Sequence, residues 1–172
     1  MNNIALILAG GVGARMHQDI PKQFINVYDR PVIVYTMEAF QSDPNIDAIE
    51  IVCLDGCHDI LKAYAKQFNI TKLENIVSGG GSGQPSIRNG LMHTAQRHTD
   101  PDDIVLIHDS IRPMVNADII SDNIRVCREY GNAVTVVPCT AAMLKTQDSF
   151  SSSGQIPRDN LKITQTPQTF FL

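Results

Sequence analysis

No apolar run in this 172-residue chain approaches the roughly 20 residues that a helix needs to cross a bilayer, so no membrane span is expected. A signal peptide is not expected either. The opening Met1-Asn2-Asn3-Ile4 carries no basic side chain, and the apolar run behind it is the length of one strand. Positive charge is not in excess: 14 Lys and Arg stand against 18 Asp and Glu, a formal net charge of −4. That balance argues against non-specific binding to nucleic acid, and the basic groups that are present must act locally. Cysteine is sparse, with four residues at Cys53, Cys57, Cys127 and Cys139. These absences point to the cytoplasm, where thiols stay reduced. Cys53, Cys57 and His58 look like metal ligands only superficially. Their spacing is not a zinc pair, no second pair follows, and Cys53 falls inside an apolar strand pattern. Buried free thiols are expected instead.

What the chain does have is ordinary material for one domain with a sizeable core, 43% hydrophobic and 19% charged. Its organising stretch is Leu8-Ala9-Gly10-Gly11-Val12-Gly13-Ala14-Arg15-Met16, followed by Pro21-Lys22-Gln23. It comes straight after an apolar run at residues 4–8 that reads as a buried first strand. Glycines let the backbone turn tightly and approach a ligand, and successive N–H groups in such a turn form an anion site. Arg15 offers a bidentate fork and Lys22 a compact charge, so together the parts make a triphosphate cradle. Two better-known phosphate loops do not apply. The Gly-Lys-Ser/Thr of a Walker A motif is missing. Met16 stands where a dinucleotide fingerprint has its third glycine, and Asp29, about 20 residues downstream of the first glycine as a ribose acid would be, sits in the turn-like Tyr28-Asp29-Arg30-Pro31. A nicotinamide enzyme is therefore the weakest alternative.

Further along, strands and helices alternate. A helix is expected at residues 31–41, with Val32, Tyr35, Thr36 and Ala39 on one face, and a strand at 46–54. A helix at 57–68 and a strand at 73–77 follow. Then comes a second permissive loop, Ser78-Gly79-Gly80-Gly81-Ser82-Gly83-Gln84-Pro85, with a helix from Ser86 to about residue 98. Its place after a strand and before a helix favours ligand binding, because ligands in open α/β sheets sit beyond the strands' carboxyl ends. A fourth strand at 103–107 leads into His108-Asp109-Ser110-Ile111-Arg112-Pro113. Asp109 would project into the same crevice, where one carboxylate suits Mg2+. The competing role, capping the next helix, falls more naturally to Asn116. His108 reads as a structural neighbour. A helix to Tyr130 stops at Gly131, and a fifth strand covers 133–137. Beyond it a polar, serine-rich stretch reads as a projecting arm or hairpin, ending in Gln165-Thr166-Pro167-Gln168-Thr169-Phe170. There is no internal repeat and no linker.

The glycine stretch, Pro21-Lys22-Gln23, the segment from His108 to Pro113 and the segment from Gln165 to Phe170 occur in an order that resembles the 2-C-methyl-D-erythritol 4-phosphate cytidylyltransferase family. Close relatives of that family include D-ribitol-5-phosphate cytidylyltransferases. The resemblance runs over residues 4–170. It implies an α/β, Rossmann-like three-layer nucleotidyltransferase fold, with a mainly parallel twisted sheet and a dimerisation arm at about residues 139–164. It implies a homodimer, CTP as donor, Mg2+ as cofactor, a small polyol phosphate as acceptor and pyrophosphate as a product. Ala9, Gly10, Gly11 and Gly13 would contact the nucleotide, with Gly80, Gly81 and Ser86 facing cytosine and ribose. Arg15 and Lys22 would hold the phosphates and the charge developing at the α-phosphorus, and Asp109 the metal. Arg158 and Thr166 match positions near the polyol phosphate, Arg158 acting across the dimer.

Three departures from the family pattern stand out. Gly83 replaces the arginine usual in the second glycine loop, and Ala141-Ala142 replaces the Asp-Thr pair common in the methylerythritol enzymes. The chain ends at Leu172, before the family's late lysine, so a C-terminal part is expected to be missing. Transfer of CMP to 2-C-methyl-D-erythritol 4-phosphate is the first expectation. Transfer to ribitol 5-phosphate or another polyol phosphate, and a nucleotide-binding module without turnover, stand as alternatives.

Overall fold

Of the ten aliphatic residues in the stretches 4–9 and Ala48–Cys53 of the two central strands, all but Leu8 are buried, as a sheet covered on both sides requires. The computed structural model describes residues 1–11, 20–80 and 83–172. In chain order they form β1 (Asn3–Ala9), a small hairpin of β2 (Asn26–Val27) and β3 (Arg30–Pro31), α1 (Val32–Ser42), β4 (Ala48–Cys53), α2 (His58–Gln67) and β5 (Leu73–Ser78). There follow α3 (Gly83–Arg97), β6 (Ile104–Asp109), α4 (Ala117–Tyr130), β7 (Asn132–Pro138), β8 (Met143–Lys145), β9 (Gly154–Ile156) and β10 (Lys162–Phe171). The central sheet has the order β5-β4-β1-β6-β10-β7. Its first four strands are parallel, and β10 runs antiparallel between β6 and β7. Because β4 lies on one side of β1 and β6 on the other, the chain changes direction at β1 and a crevice opens beyond its carboxyl end.

Alternation along the strands sends side chains into two layers. Ala5, Ile7, Ile49, Ile51, Ile104 and Leu106 meet α1, α2 and α4 in the larger core. Leu6, Val52 and Val105 meet the other face, where Leu91 of α3 packs. A Cβ on Gly90 of α3 would lie 2.6 Å from Val52 Cγ2 and 2.9 Å from Leu6 Cδ1, so this glycine lets the helix settle directly on the sheet. Glu50 is buried on the same face and accepts a hydrogen bond from Thr94 Oγ1 at 2.9 Å, with Arg97 Nε 3.6 Å away. Together these contacts seat the second half of α3 on β1 and β4.

Several expectations need correction. On α1 the buried residues are Ile33, Val34, Thr36, Met37 and Phe40, not the set containing Val32, Tyr35 and Ala39. Tyr35 faces the β2–β3 hairpin, donating its hydroxyl to Val27 O at 2.7 Å. α3 starts at Gly83 and not at Ser86, since Pro85 is compatible with a first helical turn. β6 continues through Asp109, so the aspartate is the last residue of the strand. The segment from Gln165 to Phe170 belongs to a ten-residue strand, β10, inside the sheet. Its polar residues and a register shift between Thr164 and Gln168 hide the alternation that would mark it. The arm is correspondingly shorter at its far end. It closes where Cys139 N–H donates to Leu161 O at 3.2 Å, and β8 and β9 form its hairpin. Among the described residues no helix is long and apolar enough to cross a membrane.

Candidate active site

Beyond the carboxyl ends of β1, β4, β5 and β6 lies a hollow of about 540 Å³. The turn after β1 contributes Gly10 and Gly11, and a 3-10 turn (Lys22–Phe24) contributes Lys22 and Gln23. Gly80, Gly83 and Ser86 come from the second glycine loop and the first turn of α3, and Asp109, Ser110 and Ile111 from the end of β6. Leu8 and Leu54 complete the wall. The positive end of a helix dipole makes such a wall favourable to anions.

The two glycine loops abut each other around one hydroxyl. Gly80 N–H donates to Ser86 Oγ at 2.9 Å. A Cβ on Gly10 would stand 3.3 Å from the same oxygen, and one on Gly80 would stand 2.4 Å from Pro85 Cβ. A side chain at Gly10 would press on the second loop, and one at Gly80 would push that loop away from the start of α3. Lys22 reaches over the first loop, its Nζ 3.9 Å from where a Gly11 Cβ would be. Among the described residues its ammonium forms no ion pair, which leaves it available to a phosphate.

The opposite wall is pinned from four directions. Ser110 N–H donates to Leu8 O at 3.0 Å, and Thr36 Oγ1 donates to Ser110 O at 2.8 Å. Asp109 N–H donates to Thr166 Oγ1 at 3.3 Å, and Arg112 N–H to Asp109 O at 3.1 Å. The Asp109 carboxylate accepts from Arg112 Nε at 2.7 Å through Oδ2, and among the described residues Oδ1 has no partner. Asn116 Oδ1 accepts from Ile119 N–H at 3.0 Å, so the cap of α4 is Asn116 and Asp109 is left for the hollow. His108 is fully buried, donates from Nε2 to Arg112 O at 3.0 Å and meets Phe40 edge-on. Burial holds its pKa below the usual imidazole range, which keeps the ring neutral and structural.

Gly10, Gly11, Lys22, Gly80, Ser86 and Asp109, all expected in the site from sequence, thus share one hollow. Gly13, Arg15 and Gly81 lie outside the described residues. Ala9 does not line the hollow: its side chain is in the core, and it contributes a carbonyl to Gln23. Thr166 touches the site through Asp109 and does not stand in its wall. Arg158 is exposed on the arm, where Nη1 donates to Thr140 O at 3.0 Å, and it does not line this chain's hollow. Asp29 pairs with Arg30 at 3.1 Å on the hairpin, away from any ribose position in the hollow. Reading the sequence missed Gln23, Arg112 and Gln165 as site residues. Their signal was present, since each sits inside one of the four motifs. A separate grouping of Glu50, Glu74 and His98 brings potential ligand atoms within 4.8 Å of one another. Arg97 already stands 3.2 Å from Glu74 and 3.6 Å from Glu50, so the grouping is an ion-pair network tying α3 to β4 and β5.

Comparison with known proteins gives the family and the fold. Residues 3–172 match the family described as 2-C-methyl-D-erythritol 4-phosphate cytidylyltransferase. A ribitol-5-phosphate cytidylyltransferase of Lacticaseibacillus paracasei is 41% identical over 166 residues, 96% of this chain and 70% of that protein. A 2-C-methyl-D-erythritol 4-phosphate cytidylyltransferase of Clostridium botulinum is 36% identical over 169 residues, 98% of this chain and 72% of that protein. Among solved structures, 4-diphosphocytidyl-2C-methyl-D-erythritol synthase of Anaerococcus prevotii superimposes with a TM-score of 0.81 at 25% identity, over 99% of this chain and 70% of that one. The architecture is the Rossmann-like nucleotidyltransferase fold.

Proposed function

The chain belongs to the 2-C-methyl-D-erythritol 4-phosphate cytidylyltransferase family, and on that premise we propose that it transfers CMP from CTP to D-ribitol 5-phosphate. It is a nucleotidyltransferase of the cytidylyltransferase kind. The acceptor differs from the methylerythritol phosphate that the motifs first suggest. The observation that carries the change is the ordering of relatives, a ribitol-5-phosphate enzyme at 41% identity against a methylerythritol enzyme at 36%. Ala141 and Ala142, exposed at the base of the arm beside Thr140 and Arg158, support it. They present methyl groups where the methylerythritol enzymes commonly carry an Asp-Thr pair.

The reaction needs no protein nucleophile. An anionic oxygen of the acceptor phosphate forms a bond to the α-phosphorus of CTP, in line with the bond from that phosphorus to the bridging oxygen. The second bond breaks, and its electron pair leaves on pyrophosphate. Positioning and charge stabilisation do the catalysis. Gly10, Gly11 and Gly80 give the nucleotide a close approach to backbone, and Lys22 supplies positive charge beside the phosphates. Arg15 is assigned the same task by the family pattern. Asp109 fits a divalent cation, because Mg2+ binds through one or two carboxylates together with phosphate oxygens, and Oδ1 of this carboxylate is unengaged among the described residues. Bound there, Mg2+ would neutralise triphosphate charge.

We further propose a homodimer in which the arm carries Arg158 to the partner's acceptor site. Exposed Leu144 and Phe150 on the arm and Val134, Val136 and Val137 on β7 at the edge of the sheet support this reading. The test of function is pyrophosphate release from CTP with each polyol phosphate. D-Ribitol 5-phosphate should exceed 2-C-methyl-D-erythritol 4-phosphate in kcat/KM by at least about tenfold. The reverse order overturns the acceptor. CTP binding by calorimetry with no turnover on any acceptor overturns the enzymatic reading in favour of a binding module.

A further inference from the structure

At Ala9 the first strand leaves its ladder and enters the glycine turn. The neighbouring carbonyls are satisfied by backbone: Gly79 N–H donates to Cys53 O at 2.8 Å, and Ser110 N–H to Leu8 O at 3.0 Å. The carbonyl of Ala9 is met by a side chain. Gln23 donates to it from Nε2 at 2.7 Å, in a buried contact between residues 14 apart in the chain. Since a peptide is planar, holding that carbonyl also sets the plane of the Ala9–Gly10 peptide, the first of the turn.

Gln23 is fully buried, yet it stands in the wall of the hollow next to Lys22. Its other amide atom, Oε1, is buried and has no hydrogen-bond partner among the described residues. A residue selected only to fill this space would avoid that unpaired acceptor, so the amide has to be explained by what Nε2 does. Lys22 and Gln23 are consecutive in one 3-10 turn, closed by Phe24 N–H donating to Pro21 O at 2.8 Å. Phe24 is buried and stacks on Tyr64 of α2 with ring centroids 6.4 Å apart. The lysine's turn is thus anchored on one side to α2 by an aromatic contact and on the other to the end of β1 by one amide.

We propose that Gln23 is a positioning residue: its amide locks the turn that carries Lys22 to the glycine turn, so that both halves of the phosphate cradle move as one piece. The proposal rests on the cytidylyltransferase reading and on Lys22 acting at the phosphates. Gln23→Met keeps length and volume while removing the amide's Nε2 and Oε1. Its kcat should fall by about 10–100-fold, the effect expected of a small misplacement of a catalytic group. KM for CTP should stay within about threefold, because the hollow itself is unchanged. Gln23→Asn keeps the amide but is one methylene too short, and the same pattern is expected of it. Thermal unfolding of each variant reports whether it is folded.

The decisive readout is a double-mutant cycle. In a Lys22→Ala background, Gln23→Met should cost less than about twofold in kcat, since the group it positions is gone. Equal losses in both backgrounds would mean a merely structural glutamine and overturn the proposal, as would normal kcat in folded Gln23→Met and Gln23→Asn. The outcomes separate cleanly from the parent reading. No turnover by the unmodified chain with any polyol phosphate removes the enzymatic reading and this proposal with it. Turnover that survives Lys22→Ala removes the lysine's role. Turnover lost in Lys22→Ala but kept in Gln23→Met removes the glutamine's role alone.

Discussion

Arg112 donates from Nε to Oδ2 of Asp109 across 2.7 Å, and the same guanidinium donates from Nη1 to Oε1 of Gln165. One arginine therefore joins the end of β6 to β10. The pair is 43% and 37% exposed, and ion pairs in such surroundings contribute about 0–1 kcal/mol. It aims the carboxylate without locking it, so a divalent cation has only a weak competitor to displace.

Asp109→Asn preserves shape and removes the charge. Turnover should drop by about 10²–10³-fold, comparable to losing one donor from an oxyanion site. The Mg2+ concentration giving half-maximal rate should rise at least about tenfold. Titrating Mg2+ in the pyrophosphate assay measures both. An unchanged Mg2+ response in a folded variant would take Asp109 out of the metal site.

Gly80→Ala places a methyl group where Pro85 Cβ is 2.4 Å away and Pro85 carbonyl carbon is 3.0 Å away. A proline ring cannot rotate aside, so the loop must shift relative to α3 and loosen the contact of Gly80 with Ser86. KM for CTP should rise by about tenfold, with a fall in thermal midpoint of a few degrees at most. Initial-rate kinetics at varied CTP check this, and an unchanged KM would show that the loop does not touch the nucleotide.

Arg158 and Lys22 belong to different sites in one chain if the arm crosses to a partner. Arg158→Ala and Lys22→Ala should each be nearly inactive, while an unfolded and co-refolded equimolar mixture should recover about a quarter of the normal rate, because half the dimers are mixed and each of these holds one intact site. A mixture as inactive as its components would place both residues in the same site, or leave the arm without a catalytic contribution.

Cys53 lies in β4 with no exposed surface, and burial pushes its thiol up to about 11. Cys57, just before α2, is half-buried. Since the thiolate is the reactive form, alkylation of the native protein at pH 8 should modify Cys57 well before Cys53, as read by mass spectrometry. The linkage has a definite sign. An unfolded thiol titrates at about 8.5, so the contribution of Cys53 to stability is intact below that pH and lost as pH rises through the folded value. Equal labelling of the two thiols in the folded state would contradict the burial.

Much of the scaffold was legible because its causes are local. The apolar runs around β1 and β4, the Asn116 cap and the stop at Gly131, whose φ is +92°, depend on residues within a turn or two of one another. β10 was not legible, because a polar strand with a register shift is recognisable only by its neighbours β6 and β7. The inner face of α1 depended on the β2–β3 hairpin that claims Tyr35. The sequence by itself determined that two glycine turns follow parallel strands and that a lysine and an aspartate stand near them, which is enough to name the class of ligand. The same reading put Lys22 and Asp109 at one crevice; that Gln23 reaches the carbonyl of Ala9 and Arg112 the carboxylate of Asp109 was decided only by the tertiary structure. Backbone turns are set by nearby dihedral preferences, whereas the wall of the hollow joins segments brought together only when the sheet assembles.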